Sequence, residues 1–316
     1  MTDPAPALTP PPATSAVGLA LLGAIVAGVG VWMAVQGPPA DAPRPAVAVP
    51  PTVDGFRADA WFLPDEPLLG FVEIPAGPFL MGSDPGTDAQ AFDNERWSPA
   101  APQATLTLPT YLLGRYEVTV AQFAAFVADT GAGVDPAALA GPPDHPVADV
   151  TWPEALAYCD WLDAALRASP STPAPLRDRL DAGWRVTLPT EAQWEKAARG
   201  PEGRVYPWGE DADRRLANFQ SQATAPVGSY RCEACLYGLA DMSGNVWEWT
   251  RSPYQPYPFT DDDDAEGLGE DALWVMRGGA YTDPPRNVRG AIRGGADPGA
   301  SRPFIGFRVA LSPPGP

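Results

Sequence analysis

The chain has 316 residues, of which 45% are hydrophobic, so it is long enough to bury one large core or two small ones. Its formal net charge of −18, from 39 acidic against 21 basic residues, disfavours nucleic acid and anionic membrane surfaces as partners. Both would be bound by clustered Lys and Arg. The 41 prolines and 31 glycines predict a domain in which loops outweigh long regular elements.

The N-terminal part predicts a membrane anchor. Residues 16–35 form a continuous apolar run that is long enough to span a bilayer as a helix. A cleaved signal peptide is the alternative, although the segment has no basic region before it and its apolar core is too long. The predicted organisation is a short tail, one transmembrane anchor, an extended Pro/Ala-rich linker and an extracytoplasmic domain, over 1–15, 16–36, 37–60 and 61–316.

Capping chemistry predicts where helices begin. A Ser/Thr-x-x-Glu/Gln pattern satisfies unpaired amides at a helix N-terminus, and it occurs at Thr119–Gln122, Thr151–Glu154 and Thr190–Gln193. Short apolar stretches predict strands at 70–75, 104–108 and 306–311. Strands and helices do not alternate regularly, so the pattern indicates an α+β domain rich in irregular loops.

The most informative segment covers residues 237–249, which read Tyr-Gly-Leu-Ala-Asp-Met-Ser-Gly-Asn-Val-Trp-Glu-Trp. Neither an amphipathic helix nor an alternating strand requires this mixture. Its glycines allow backbone conformations that other residues avoid. The oxygen-bearing side chains of Asp241, Asn245 and Glu248 suit a hard cation such as calcium.

This segment resembles the signature of the formylglycine-generating enzyme family, also called the sulfatase-modifying factor family, which has a C-type-lectin-like fold. Further motifs of the family stand in order along the chain, namely Ile74–Ser83, Tyr116–Thr119, His145–Trp152, Arg185–Glu195, Tyr206–Gly209, Arg277–Tyr281 and Ile305–Arg308. Any one of these matches is weak, but the ordered set is specific. The resemblance implies an α+β, formylglycine-generating-enzyme-like domain, preceded here by one transmembrane helix.

The resemblance also implies a structural calcium ion. Its ligands would be the carboxylates of Asp241 and Glu248 and the backbone carbonyls of Gly244 and Val246. A second site of the family resembles Asn218 and Phe219, but the loop that should supply its other half is short and contains no Asp. The alternative is that these polar groups brace the loop by hydrogen bonds alone.

Copper binding is not expected. The family's oxidases resemble copper(I) enzymes that hold the metal with two thiolates, five positions apart just after an Arg-Gly-Gly motif, and soft thiolates suit copper(I). The corresponding positions here are Asp283 and Val288, and Ala280 stands where oxidases commonly carry a serine. The chain therefore departs from the family at the position of its oxidative chemistry.

The cysteines and the single histidine offer little else. Cys159 falls on the apolar face of a predicted helix and is interpreted as a buried thiol. For Cys232 and Cys235 a local disulfide is the first interpretation, with a redox-active pair or a zinc site with His145 as alternatives. One histidine cannot build the multi-imidazole centre of the iron-dependent sulfoxide synthases that share this fold.

The resulting hypothesis is a binding module that holds a peptide, protein or glycan in the groove that oxidases use for substrate. The alternative is an enzyme, either of different chemistry or a formylglycine generator despite the missing cysteines. Candidate groups for different chemistry are Asp283, Arg286, Arg289 and Arg293, and an Asp–Arg pair among them would more often be structural. The acidic segment 261–271 is interpreted as a solvated loop, with a low-affinity calcium site as the alternative.

Overall fold

Three of the four α-helices in the computed structural model, which describes residues 52–258 and 272–314, start where the capping pattern predicts. The fourth, which begins at Ala174, has no side-chain cap and was not predicted. The α-helices within these ranges are α1 (Val120–Thr130), α2 (Trp152–Ala168), α3 (Ala174–Asp181) and α4 (Glu191–Arg199). Complete capping boxes open α1, α2 and α4, because Thr119, Thr151 and Thr190 each accept a hydrogen bond from the backbone three residues on. Such a cap stabilises a helix by about 1 kcal/mol.

The strands within the same two ranges are short and belong to two four-stranded sheets and two strand pairs. Their bounds are β1 (Phe56–Arg57), β2 (Leu63–Pro64), β3 (Phe71–Ile74), β4 (Gly77–Gly82), β5 (Gln103–Leu108), β6 (Tyr111–Gly114), β7 (Arg185–Thr187), β8 (Trp247–Pro253), β9 (Trp274–Arg277), β10 (Gly294–Ala296), β11 (Ile305–Phe307) and β12 (Ala310–Ser312). One sheet has the order β3-β6-β12-β7 and the other β10-β9-β8-β11, while β1 pairs with β2 and β4 with β5. The strands predicted at 70–75 and 104–108 are confirmed as β3 and β5.

The single strand predicted at 306–311 is wrong, because the segment divides between the two sheets. β11 runs parallel to β8, whereas β12 runs antiparallel to β6 and β7. Arg308 lies between them with its side chain fully buried. Its guanidinium donates to the carbonyls of Gly114, Arg115 and Ala240, so its hydrogen bonds hold the chain at the crossing point between the sheets.

The larger apolar core lies between α1, α2 and the sheets. Its centre is aromatic: the ring of Tyr158 lies 6.1 Å from that of Phe123 and 5.4 Å from that of Phe307, centroid to centroid. A second core packs Trp194 of α4 against Phe79, Met81 and Tyr111 of the strands. Full burial of each large apolar side chain contributes roughly 1.5–3 kcal/mol, so these two cores fix the positions of the loops between them.

Several predictions fall outside the described residues. They are the transmembrane anchor over 16–36, the tail before it, most of the linker over 37–60 and the acidic segment from Asp261 to Asp271. Among residues 52–258 and 272–314, no helix combines the length and the apolar character needed to cross a bilayer. The predicted α+β class with dominant loops is confirmed for the described part of the chain.

Candidate functional site

The signature segment is a loop that leads into β8. Asp241 and Asn245 adopt positive φ angles of 56° and 61°, in the left-handed region that residues with a Cβ seldom occupy. At Gly244 a Cβ would lie 2.2 Å from the carbonyl oxygen of Asn218, so only glycine fits there. The loop is thus folded tightly enough to turn its polar side chains inward.

Glu248 is fully buried and already has a cationic partner. Its Oε1 accepts from Arg308 Nη2 at 2.7 Å, and its Oε2 accepts from Arg308 Nε and from Trp194 Nε1, each at 2.6 Å. Arg308 and Trp194 are fully buried as well. Both carboxylate oxygens of this predicted calcium ligand therefore form hydrogen bonds within the protein, and its charge is balanced by Arg308.

Asp241 is also buried, but only one of its two carboxylate oxygens accepts a hydrogen bond from the described part of the chain. Its Oδ2 accepts from the backbone N–H of Gly228 at 2.7 Å, whereas its Oδ1 has no hydrogen-bond partner among the described residues. Burial, reinforced by the nearby charge of Glu248, raises the pKa of Asp241 to about 6. A buried carboxylate oxygen without a donor is costly, so this oxygen marks a place where a proton or a cation would stabilise the fold.

Glu117 is a second buried carboxylate near Asp241, and sequence analysis did not assign it to the site. It lies just before α1, in the Tyr116–Thr119 motif, and its Oε2 accepts from Asn245 Nδ2 at 2.9 Å. Its Oε1 has no partner within the described residues. Burial raises the pKa of Glu117 well above its ordinary value, and the charges of Asp241 and Glu248 raise it further. An acidic residue within an apolar segment was the signal available in the sequence.

A hard cation fits the chemistry of this carboxylate pair, Glu117 and Asp241. Both residues present a buried oxygen that lacks a donor, and calcium binds carboxylate and carbonyl oxygens. Within the described part of the chain, no group of three or more His, Cys, Asp or Glu side chains is placed to hold a metal. The pair would therefore need backbone carbonyls, such as those predicted at Gly244 and Val246, to complete a calcium site.

The two residues predicted for the second calcium site serve other contacts. Asn218 Nδ2 donates to Ala223 O and to Asn245 Oδ1, while Asn218 Oδ1 accepts from Ser221 Oγ at 2.7 Å. Phe219 is buried in a small apolar cluster that includes Val205 and Tyr206. Asn218 thus braces the loop against the signature segment through its side chain, and its carbonyl accepts from Asn245 N at 2.9 Å.

The position expected for the first copper thiolate holds a well-bonded carboxylate. Asp283 Oδ2 accepts from Trp247 Nε1 at 2.9 Å and from the backbone N–H of Ala280 at 2.8 Å. Its Oδ1 accepts from Asn287 Nδ2 at 3.3 Å. Val288, at the second position, is fully buried against the same cluster as Phe219. Both residues therefore hold the 280–288 loop in place.

The Asp–Arg pair considered for Asp283 does not form among the described residues, and two of the three candidate arginines contact other carboxylates instead. Arg289 binds Glu95 at 2.5 Å and also pairs with Asp88. Arg293 binds Glu191 of α4 at 2.6 Å. Arg286 remains exposed, with its guanidinium carbon 4.0 Å from the centroid of the Phe92 ring.

An open groove of about 490 Å³ borders this loop directly after Asp283. It is called here the 284–286 groove, and its lining residues are Ala89, Gln90, Ala91, Pro284, Pro285 and Arg286. Four of these six residues are small or cyclic apolar ones, and Arg286 is the only charged one. The groove offers a ligand an apolar floor and one cation.

The cysteines and the histidine take structural places. Cys232 and Cys235 form the predicted local disulfide, with a Cα–Cα distance of 5.3 Å. Cys159 is a buried free thiol on α2, and burial raises its pKa well above the ordinary value. His145 Nδ1 lies 2.8 Å from Thr224 Oγ1, so the imidazole forms a hydrogen bond with a neighbouring loop. A zinc site is incompatible with the disulfide, because a disulfide offers no thiolate.

Comparison with protein families gives a match over nearly the whole described domain. The model of the sulfatase-modifying factor enzyme 1-like domain matches residues 63–313. A hercynine oxygenase of Mycolicibacterium smegmatis is 32% identical over 76% of this chain, and the match spans 60% of that protein. A formylglycine-generating enzyme of Streptomyces coelicolor is 31% identical over 76% of this chain and 88% of its own.

A third relative carries a different kind of name. The serine/threonine-protein kinase Pkn1 of Chlamydia trachomatis is 31% identical over 78% of this chain, and the match spans 39% of that protein. Among solved structures, PvdO from Pseudomonas aeruginosa matches with a TM-score of 0.62 and 25% identity, covering 76% of this chain and 93% of its own. The Treponema denticola variable protein 1 matches with a TM-score of 0.58 and 23% identity, over 77% and 95% of the two chains.

Proposed function

The chain belongs to the sulfatase-modifying factor enzyme 1-like domain family, and on that premise we propose that it is a membrane-anchored binding module for a peptide, protein or glycan, and not a copper-dependent oxidase. Membership alone leaves the activity open. Relatives of similar identity are named an oxygenase, a formylglycine-generating enzyme and a kinase. One fold hosts many functions, so the function has to be inferred from the chemistry of the site.

The observation that carries the proposal is the chemistry at positions 283 and 288. Copper(I) is held by soft thiolates, whereas Asp283 offers hard oxygens that already accept from Trp247, Ala280 and Asn287. Val288 offers only buried hydrocarbon. The one free thiol of the described residues, Cys159, lies in the apolar core of α2. None of these groups suits the oxidase chemistry.

The 284–286 groove supports binding as the remaining role. It lies beside the loop in which family oxidases would carry their reacting groups, and most of its described lining residues are apolar. The Pro284–Pro285 sequence fixes two φ angles, and Tyr206 Oη donates to the carbonyl of Pro285 at 3.1 Å. A preformed surface of this kind loses little conformational entropy when it binds a ligand.

An enzyme of different chemistry is the second candidate, and the names of the relatives favour it. Three of its four candidate groups, Asp283, Arg289 and Arg293, are engaged in internal hydrogen bonds or ion pairs, and the fourth, Arg286, lies over the ring of Phe92. A group held in this way is more often structural than catalytic. Binding is therefore the function that the described side chains support better.

The membrane part of the proposal rests on the sequence. The apolar run at 16–35 and the Pro/Ala-rich linker after it support a single anchor with the domain outside the cytoplasm. On this proposal the full-length chain stays with membranes after high-salt and carbonate washes. Its recovery in the soluble fraction would count against the anchor.

The decisive experiment is an activity assay on the full-length chain. A Cys-x-Pro-x-Arg peptide is incubated with the chain, copper and a reductant, and the mass of the product is measured by mass spectrometry. The Streptomyces coelicolor relative serves as the positive control. We expect no conversion of the cysteine thiol to an aldehyde, because Asp283 and Val288 supply no thiolates. The variant Asp283→Cys/Val288→Cys should gain copper(I) binding. Aldehyde formed by the unmodified chain above the no-enzyme level would overturn the proposal.

Calcium is proposed as a structural ion of the same domain. Support comes from the two buried carboxylate oxygens without donors, on Asp241 and Glu117, and from the carbonyls of Gly244 and Val246 in the same loop. Bound calcium would neutralise the carboxylate pair and hold the signature loop against α1. Glu248 would act less as a ligand than as the partner of Arg308.

A further inference from the structure

Arg286 differs from the other arginines near the 284–286 groove in its surroundings. Its side chain is exposed, and in residues 52–258 and 272–314 no carboxylate forms an ion pair with it. Its neighbour Arg289 is buried and is neutralised by Glu95 and Asp88. In a chain with a net charge of −18, an exposed guanidinium that lines a groove without an acidic partner is a local exception.

The guanidinium is also held in one place. It lies over the ring of Phe92, 4.0 Å from the centroid, and such a cation–π contact contributes about 0.5–1 kcal/mol at an exposed site. The backbone below it forms a 3-10 turn over Pro285–Asn287, which begins with a proline. Since both backbone and side chain are restrained before a ligand arrives, Arg286 loses less conformational freedom on binding than a mobile surface arginine.

We propose that the 284–286 groove binds an acidic peptide segment, with Arg286 taking one Asp or Glu carboxylate of the ligand in a bidentate pair. This inference rests on the proposed binding function and names its ligand class. A guanidinium presents parallel N–H donors whose spacing matches the two oxygens of a carboxylate. The groove would supply specificity for a charge that the rest of this acidic chain repels.

A peptide suits the other walls of the groove better than a glycan. Ala89, Ala91, Pro284 and Pro285 offer apolar surface, and Gln90 is the only neutral polar side chain among the described lining residues. A sugar carries many hydroxyl groups, and among these residues only Gln90 and Arg286 offer polar side chains to bind them. An extended peptide can place apolar side chains on the floor and one carboxylate at Arg286.

The test is a selection of random dodecapeptides by the full-length chain in detergent, followed by binding measurements with the synthetic peptides that are enriched. We expect enriched peptides to carry an Asp or Glu at a fixed distance from apolar residues. Replacing that residue by Asn or Gln should weaken binding about tenfold, the size of one charge-assisted hydrogen bond. Arg286→Met should cause the same loss, and the two changes together should cause no further loss.

The matched control is Arg231→Met, which removes an equal charge from another exposed arginine outside the groove. It should leave peptide binding unchanged, and Arg286→Lys should lie between the wild type and Arg286→Met because it keeps the charge but not the fork. Equal unfolding temperatures exclude a folding defect. Peptides that bind without an acidic residue and ignore Arg286→Met would overturn this inference while the binding function stands. Enrichment of no peptide would overturn it together with peptide binding.

Discussion

Two buried regions of the domain differ in whether their carboxylates have guanidinium partners. Around α4, which is called here the arginine region, Glu195 is enclosed by Arg199 and Arg277, and Glu191 by Arg293 and Arg277. Around the signature loop, the carboxylate pair Glu117 and Asp241 is enclosed by amides, and two of its four oxygens have no donor. Both regions are shielded from water, so solvation does not explain the difference.

This difference in charge balance indicates different roles for the two regions. In the arginine region the positive charges match or exceed the negative ones, and the guanidinium groups also donate to backbone carbonyls such as those of Gly82 and Gly290. Removal of one partner there leaves an uncompensated buried charge. In the carboxylate pair, no guanidinium forms an ion pair with either residue among the described residues, so an ionised carboxylate there would be uncompensated. We therefore interpret the first region as a brace and the second as the place of an exchangeable proton or cation.

The largest expected effect comes from the same substitution in both regions. Glu195→Gln should lower the free energy of unfolding by about 3–5 kcal/mol, because Arg199 and Arg277 lose a buried countercharge. Glu117→Gln should leave the metal-free protein equally stable or more stable, because it removes an uncompensated charge. Denaturant unfolding in the presence of a chelator measures both.

The exposed pair Arg215 and Asp213 is the control for this comparison. Its arginine is 89% exposed, so Arg215→Met should change the free energy of unfolding by less than about 1 kcal/mol. A large loss of stability for Glu117→Gln without metal, or a negligible loss for Glu195→Gln, would remove the distinction between the two regions.

A smaller effect is expected from pH on the metal-free protein. The pKa of Asp241 is raised from 3.8 in the unfolded chain to about 6 in the folded state. At pH values between these two, the folded protein therefore holds a proton that the unfolded chain has already released. This contribution to stability is present below about pH 4 and is lost as the pH rises through 6. A shift of this size corresponds to about 3 kcal/mol. Asp241→Asn should remove it, as seen in the difference between the two unfolding profiles.

Calcium should stabilise the folded state through the ionised form of Asp241, whereas at low pH it is the protonated form that stabilises the folded state. At a hundredfold excess over its dissociation constant, a ligand that binds only the folded state raises the free energy of unfolding by about 2.7 kcal/mol. Asp241→Asn with Glu117→Gln should abolish this gain and leave the arginine region untouched. Thermal unfolding with calcium and with chelator measures the gain. Protein that contains no calcium by elemental analysis, and unfolds identically in both conditions, would contradict the calcium proposal.

Much of the local structure could be predicted from the sequence. The capping boxes at Thr119, Thr151 and Thr190 are confirmed because their hydrogen bonds join residues three positions apart. The disulfide between Cys232 and Cys235 is confirmed for the same reason, since its partners are three residues apart. The family was recognisable because its motifs stand in a fixed order along the chain.

The environment of the candidate site was decided only by the tertiary structure. Glu117 meets Asn245 across 128 residues of chain, Arg308 meets Glu248 across 60, and Arg289 meets Glu95 across 194. No local spacing encodes such contacts. Whether a buried carboxylate is neutralised or left with a free oxygen depends on which distant guanidinium reaches it when the loops pack. The sequence by itself therefore determined the three capped helices, the disulfide and the family, whereas packing alone decided which acidic residues became braces and which formed the carboxylate pair.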